Sequence, residues 1–206
     1  MTTIYRSTFL VLVAGLLNSS PAGAAEDPDW PCVQRLVPEL SPAMMWAGPA
    51  LDQVEGSWRG EPVVAELAPE LAARRVPLEE ANTQVADLAA SLEPASRERT
   101  LTLLFAGIFE IIGRERQEII AGIKRFNAVQ ERLAESVRSA NAELRQLAGG
   151  SSAQDQMRRQ AISERRDWEV RLFDERRDAL TYLCEQPVLL EQRAFQLARA
   201  IAGELE

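Results

Sequence analysis

Between Pro94 and Pro187 the chain contains no proline, and through the first half of that interval side chains recur in alternating steps of four and three. The series runs Phe105, Phe109, Ile112, Arg116, Ile119, Ile123, Phe126, Gln130, Leu133, Val137, Ala140, Leu144 and Leu147. Such spacing draws one seam along an α-helix, and the seam needs a partner to cover it. Only Arg116 and Gln130 place polar groups on it, where such residues set register more often than they bind ligands. Gly107, Gly113 and Gly122 weaken the helix without ending it. The stop comes at Gly149-Gly150-Ser151-Ser152, where glycine can take the left-handed C′ conformation. Ser152 with Asp155 then forms a capping pattern for a second helix. The predicted element is a long helix that doubles back on itself.

From Leu101 to Ile112 the apolar residues cover nearly the whole circumference, so this stretch needs several neighbours, whereas beyond Gly113 a single stripe remains. Counting outward from the turn, Cys184 falls beside about position 117 and Pro187 beside about position 114. Gly113 and Pro187 therefore share a level at which both arms are expected to bend or break. The predicted fold is all-α: a three- to four-helix bundle base, extended by a long antiparallel two-helix coiled-coil hairpin over residues 114–186 that projects about 50 Å. Residues 61–206 form this helical unit. Within it, a short helix over 61–75 is interrupted by Pro69. A better helix runs from Pro77 to Glu93 and lies antiparallel to the long one. A last helix follows Pro187, which marks either a kink or a new start. On the return arm Met157, Ala161, Trp168, Leu172, Ala179 and Leu183 supply the apolar stripe, with Ile162, Val170, Phe173 and Leu180 off it. The tetrad Glu-Arg-Arg-Asp stands at 164–167 and again at 175–178, an eleven-residue spacing that is itself a helical repeat. Eight acidic and seven basic residues between Asp155 and Glu185 describe a solvated, charge-laced face.

The N-terminus reads as a signal peptide over residues 1–25. Arg6 precedes an apolar run from Phe9 to Leu17, and Ala22-Gly23-Ala24 gives a small-residue cleavage pattern after Ala24 or Ala25. The run is too short to cross a bilayer comfortably, so the expectation is a periplasmic or extracellular product with no membrane span after cleavage. In that compartment the only two cysteines, Cys32 and Cys184, are expected to form one disulfide. It would pin residues 26–60 to the base of the bundle. That segment carries five prolines and Trp30, Trp46 and Trp58, and it cannot build a core of its own. Either it wraps the base, or Trp46 and Trp58 remain available to dock a partner.

With a formal charge of −8, falling to −9 once Arg6 is removed, the chain has no basic field to attract nucleic acid. The complete absence of histidine removes imidazole bases, histidine-activated nucleophiles and imidazole metal sites. No phosphate loop or calcium loop is present, and the residues carry no family motif. No catalytic, cofactor-binding or metal-binding residues are assigned. Glu110, alone in an apolar stretch, is the one carboxylate considered for acid or base work, and pairing with Arg114 or contact with solvent is the stronger account of it. The reading that remains is a non-enzymatic contact protein: an adaptor, scaffold or accessory subunit that meets a protein partner or its own copy through the hairpin. The alternatives are a holdase-like chaperone and a small-molecule site in the base.

Overall fold

A computed structural model describes residues 27–205, and within them the chain is all-helical. The predicted signal peptide lies outside the described residues. Four α-helices follow in order: α1, Pro62–Ala72; α2, Leu78–Ser91; α3, Pro94–Gln146; and α4, Ala153–Gly203. Prolines open α1 and α3, where a missing N–H costs nothing and the fixed φ suits a helical start. The 53 residues of α3 make a rod of about 80 Å, and the 51 residues of α4 return along nearly its whole length.

The base is formed where α1 packs on α3 and α2 on α4. Val64, Ala68 and Leu71 of α1, Ala81, Val85 and Leu88 of α2, Leu101 to Ile112 of α3, and Leu190, Leu197 and Ile201 of α4 share one core. The all-round apolar stretch of α3 is thus enclosed, as its composition requires. The antiparallel neighbour expected for α2 is corrected: its main packing is against α4 rather than α3. The Leu92-Glu93 link is extended, and this lets α2 swing away from the helix that follows it.

Neither arm breaks at the Gly113 and Pro187 level. Both positions sit inside continuous helices, and Pro187 is buried in the core end of α4. A lone glycine costs about 1 kcal/mol and one proline about 3 kcal/mol in a helix interior, sums that packing along a rod this long outweighs. Pro69 likewise lies within an unbroken α1. At the far end, α3 closes through a 3₁₀ turn at Leu147–Gly149, and Gly150 is extended rather than left-handed. The Leu147 amide closes the last turn on the Glu143 and Arg145 carbonyls, and the Gly150 amide on Leu147. Arg159 Nη1 braces the turn, donating to the Leu147 and Gly150 carbonyls at 2.7 and 2.5 Å. Ser152 Oγ accepts from the Asp155 amide at 3.0 Å and so caps α4.

Along the hairpin, Ile112, Arg116, Ile123, Gln130 and Ala140 are buried, as the seam demands. The facing side of α4 differs from expectation. Ile162, Cys184 and Gln186 are its buried hairpin positions and Phe173 and Leu180 are half-buried, while Met157, Ala161, Trp168 and Ala179 face solvent. Contact with α3 is therefore made from the face of Ile162, Phe173, Leu180 and Cys184, while Val170 is exposed and Leu172 and Leu183 of the stripe are half-buried. The exposed part of the stripe is Met157, Ala161, Trp168 and Ala179.

Candidate interaction surface

Residues 27–40 have no regular structure and form a strap that descends one side of the hairpin. Its upper end is held where Lys124 Nζ meets Asp27 Oδ2 at 2.6 Å and Asn127 donates to the Asp29 carbonyl. The lysine and the Asp29 amide keep the Asp27 carboxyl below its ordinary pKa. Midway, Cys32 and Cys184 form a disulfide with Cα atoms 5.7 Å apart, and Gln34 donates to the Cys184 carbonyl. At the lower end Arg116 donates to the Val37 and Pro38 carbonyls at 2.6 and 3.3 Å and, through Nε, to Glu191 at 2.7 Å. The disulfide thus tethers the strap along the lower hairpin, above the base where it was expected. A strap without secondary structure leaves its carbonyls unpaired, and hairpin side chains supply the donors.

The tryptophans of the following segment pack on the base. Trp46 stacks on Phe105 with ring centroids 4.2 Å apart and planes 5° from parallel, and its Nε1 donates to the Pro49 carbonyl at 2.7 Å. Trp58 lies half-buried against the core and donates to Glu110 Oε2 at 2.8 Å. Arg59 completes that contact through Nη2, 2.5 Å from Glu110 Oε1. Glu110 thus answers to a partner 51 residues earlier in the chain and not chiefly to Arg114. Arg59 and Trp58 hold its carboxyl below the usual glutamate range, which keeps it an ionised clasp. A general acid would need the opposite shift.

Two polar side chains complete the seam without a ligand. Gln130 Nε2 donates to the Phe173 carbonyl at 3.1 Å, and Arg176 Nε donates to Gln130 Oε1 at 3.0 Å while lying over the Phe126 ring. In the base, Arg193 is buried and donates to the Leu71 carbonyl at 2.8 and 2.6 Å and to the Val76 carbonyl at 2.9 Å, closing the C-terminal end of α1. Desolvation lowers its pKa from the ordinary arginine value.

Among the described residues no group of three or more Cys, Asp or Glu side chains is arranged to hold a metal ion. One shallow cleft of about 340 Å³ borders the disulfide between the strap and Arg177, Leu180 and Thr181. A smaller one of about 150 Å³ lies on the hairpin among Ala134, Val137, Val170 and Phe173 and is almost wholly apolar. What stands out is the outer face of α4, where Met157 is 67 % exposed and Trp168 57 %. Sequence reading had these residues on the apolar stripe of the return arm and left its direction open. The outward direction could have been found from Ile162, Phe173 and Cys184, which share a face one residue past Ala161, Leu172 and Leu183. No family model, no curated protein and no solved structure matches the chain. No helix among the described residues is long and apolar enough to cross a membrane.

Proposed function

We propose that this protein is an exported helical adaptor or scaffold that works through protein–protein contacts made by its hairpin. The observation that carries the reading is the exposure of Met157 and Trp168 on a rod that extends past the shared core. Large apolar side chains held in water on a rigid helix are unfavourable for a monomer and suited to an interface. The strap and the Cys32–Cys184 bridge accord with this role, because they brace the lower rod and leave the outer face of α4 open. The disulfide accords with an oxidising compartment.

In-cell photocrosslinking tests the reading. A photoreactive residue at Val129 or Arg171, both exposed on the hairpin, should yield discrete protein adducts. The same residue at Glu66 on the base should yield none. Adducts from the base alone, or from neither region, would overturn the proposal. The apolar cleft at Val137 and Phe173 favours a second reading, a holdase for unfolded chains. That reading requires many client adducts in place of a few discrete ones, together with suppressed aggregation of an unrelated unfolded protein.

A further inference from the structure

The return helix is built on an eleven-residue repeat longer than its charged tetrads. Residues 164–174 and 175–185 share Glu-Arg-Arg-Asp at the start, leucine at the ninth position, Leu172 and Leu183, and an acid at the end. Eleven residues make three helical turns, so each repeat position returns to one face. The fifth and ninth positions form a single apolar stripe along α4, from Met157 and Ala161 through Trp168, Leu172, Ala179 and Leu183 to Leu190, Ala194 and Ile201. Its lower part, Leu190, Ala194 and Ile201, is buried in the core that α2 helps to close by packing on α4. The upper part is uncovered: Met157, Ala161, Trp168 and Ala179 are exposed, and Leu172 and Leu183 half-buried. The open half continues a surface on which a helix already docks.

We infer that a second copy of this chain covers it, packed antiparallel with the two Trp168 side chains meeting at the twofold axis. This inference rests on the contact reading above and names the partner. A parallel pair is obstructed, because α2 packs on α4 in the core that buries Leu190, Ala194 and Ile201, the lower end of the same stripe, and would come between the two rods. An antiparallel pair sends the two bases to opposite ends. Each hairpin tip then comes level with the start of the other copy's α2. One polar flank supports the same choice. On that side of the stripe the exposed Glu164 comes nearly level with the exposed Arg171 of the second copy. Opposite charges therefore meet there, two pairs by symmetry. Met157 falls opposite Ala179, large against small.

The test uses the disulfide-intact chain. Sedimentation equilibrium should give a dimer mass, and Trp168→Glu should halve it with helicity unchanged. Orientation is read by thiol crosslinking: Met157→Cys and Ala179→Cys chains should crosslink when mixed and neither should crosslink alone. A monomeric parent chain overturns the inference, as does self-crosslinking of each single variant, which marks a parallel pair. Should the parent be monomeric while the hairpin still crosslinks another protein in cells, the second copy is refuted and the adaptor reading stands. A dimer of the predicted orientation, with no other adduct in cells, supports this inference and refutes the adaptor.

Discussion

Arg116 and Glu191 meet at 2.7 Å in the wall between hairpin and base, and the same guanidinium reaches across to the Val37 and Pro38 carbonyls of the strap. One buried side chain on the seam thereby joins α3, α4 and a segment 78 residues earlier in the chain. Arg116→Ala should cost about 2 to 3 kcal/mol, since it leaves the Val37 carbonyl without a donor, leaves Pro38 with Gln117 alone, and leaves Glu191 unpaired. Arg116→Met should cost less, because the stem still fills the seam and Glu191 retains contact with water. Limited proteolysis within residues 36–40 should accelerate in both, while the tip, where Arg159 holds the turn, should be cleaved no faster. Unchanged cleavage in the strap would show that the disulfide and the remaining contacts, among them Gln117 donating to the Pro38 carbonyl, hold it without Arg116.

Arg193 is a buried charge met by carbonyl oxygens at the end of α1. Its removal in Arg193→Ala should destabilise the protein by about 3 kcal/mol through unsatisfied carbonyls and a cavity. Arg193→Lys should recover only part of this, since an ammonium cannot reproduce the planar fork. Urea denaturation followed by helical ellipticity measures both.

Two glycines of α3 should respond in opposite directions. A Cβ on Gly107 would stand 3.0 Å from both Ala68 Cβ and the Trp58 ring, so this position is where α1 and the tryptophan approach the long helix. Gly107→Val should cost about 1 to 3 kcal/mol by overpacking. Gly113 has no neighbour within 4 Å of such an atom, and Gly113→Ala should stabilise by about 1 kcal/mol through helix propensity. Thermal unfolding of the two variants gives both signs.

The Glu110 clasp sets a pH dependence. Its folded-state pKa lies below the ordinary 4.5, so the unfolded chain takes up the proton first as pH falls. The stability it contributes is complete above that ordinary value and is lost as pH drops through the folded pKa. Denaturation midpoints measured from neutral to acid pH should therefore fall less steeply for Glu110→Gln than for the parent. Parallel curves would remove Glu110 from the acid response.

The long helix, its return and the disulfide were legible because each rests on local pattern: a seam in steps of four and three, a proline-free interval and a cysteine count of two. The direction of the return stripe was not. Both faces of α4 carry apolar residues at helical spacing, and only contact with α3 decides which one is covered. The clasps of Arg59 on Glu110, Arg193 on Leu71 and Arg116 on Val37 are long-range pairings of common residue types, and neither composition nor spacing marks them. The continuity of α4 through Pro187 was open in sequence, since a proline can kink a helix or end it, and core packing around the buried ring resolved it.

The central claim is that the outer hairpin serves contact and not the core. It is tested most directly by excising residues 131–172 and joining Gln130 to Phe173, which already share a hydrogen bond, through a short glycine-serine turn. The account predicts a base that keeps its Cys32–Cys184 bridge and unfolds cooperatively, with every protein adduct of the hairpin lost in cells. An unfolded base, or a shortened protein that still captures the same partners, would contradict it.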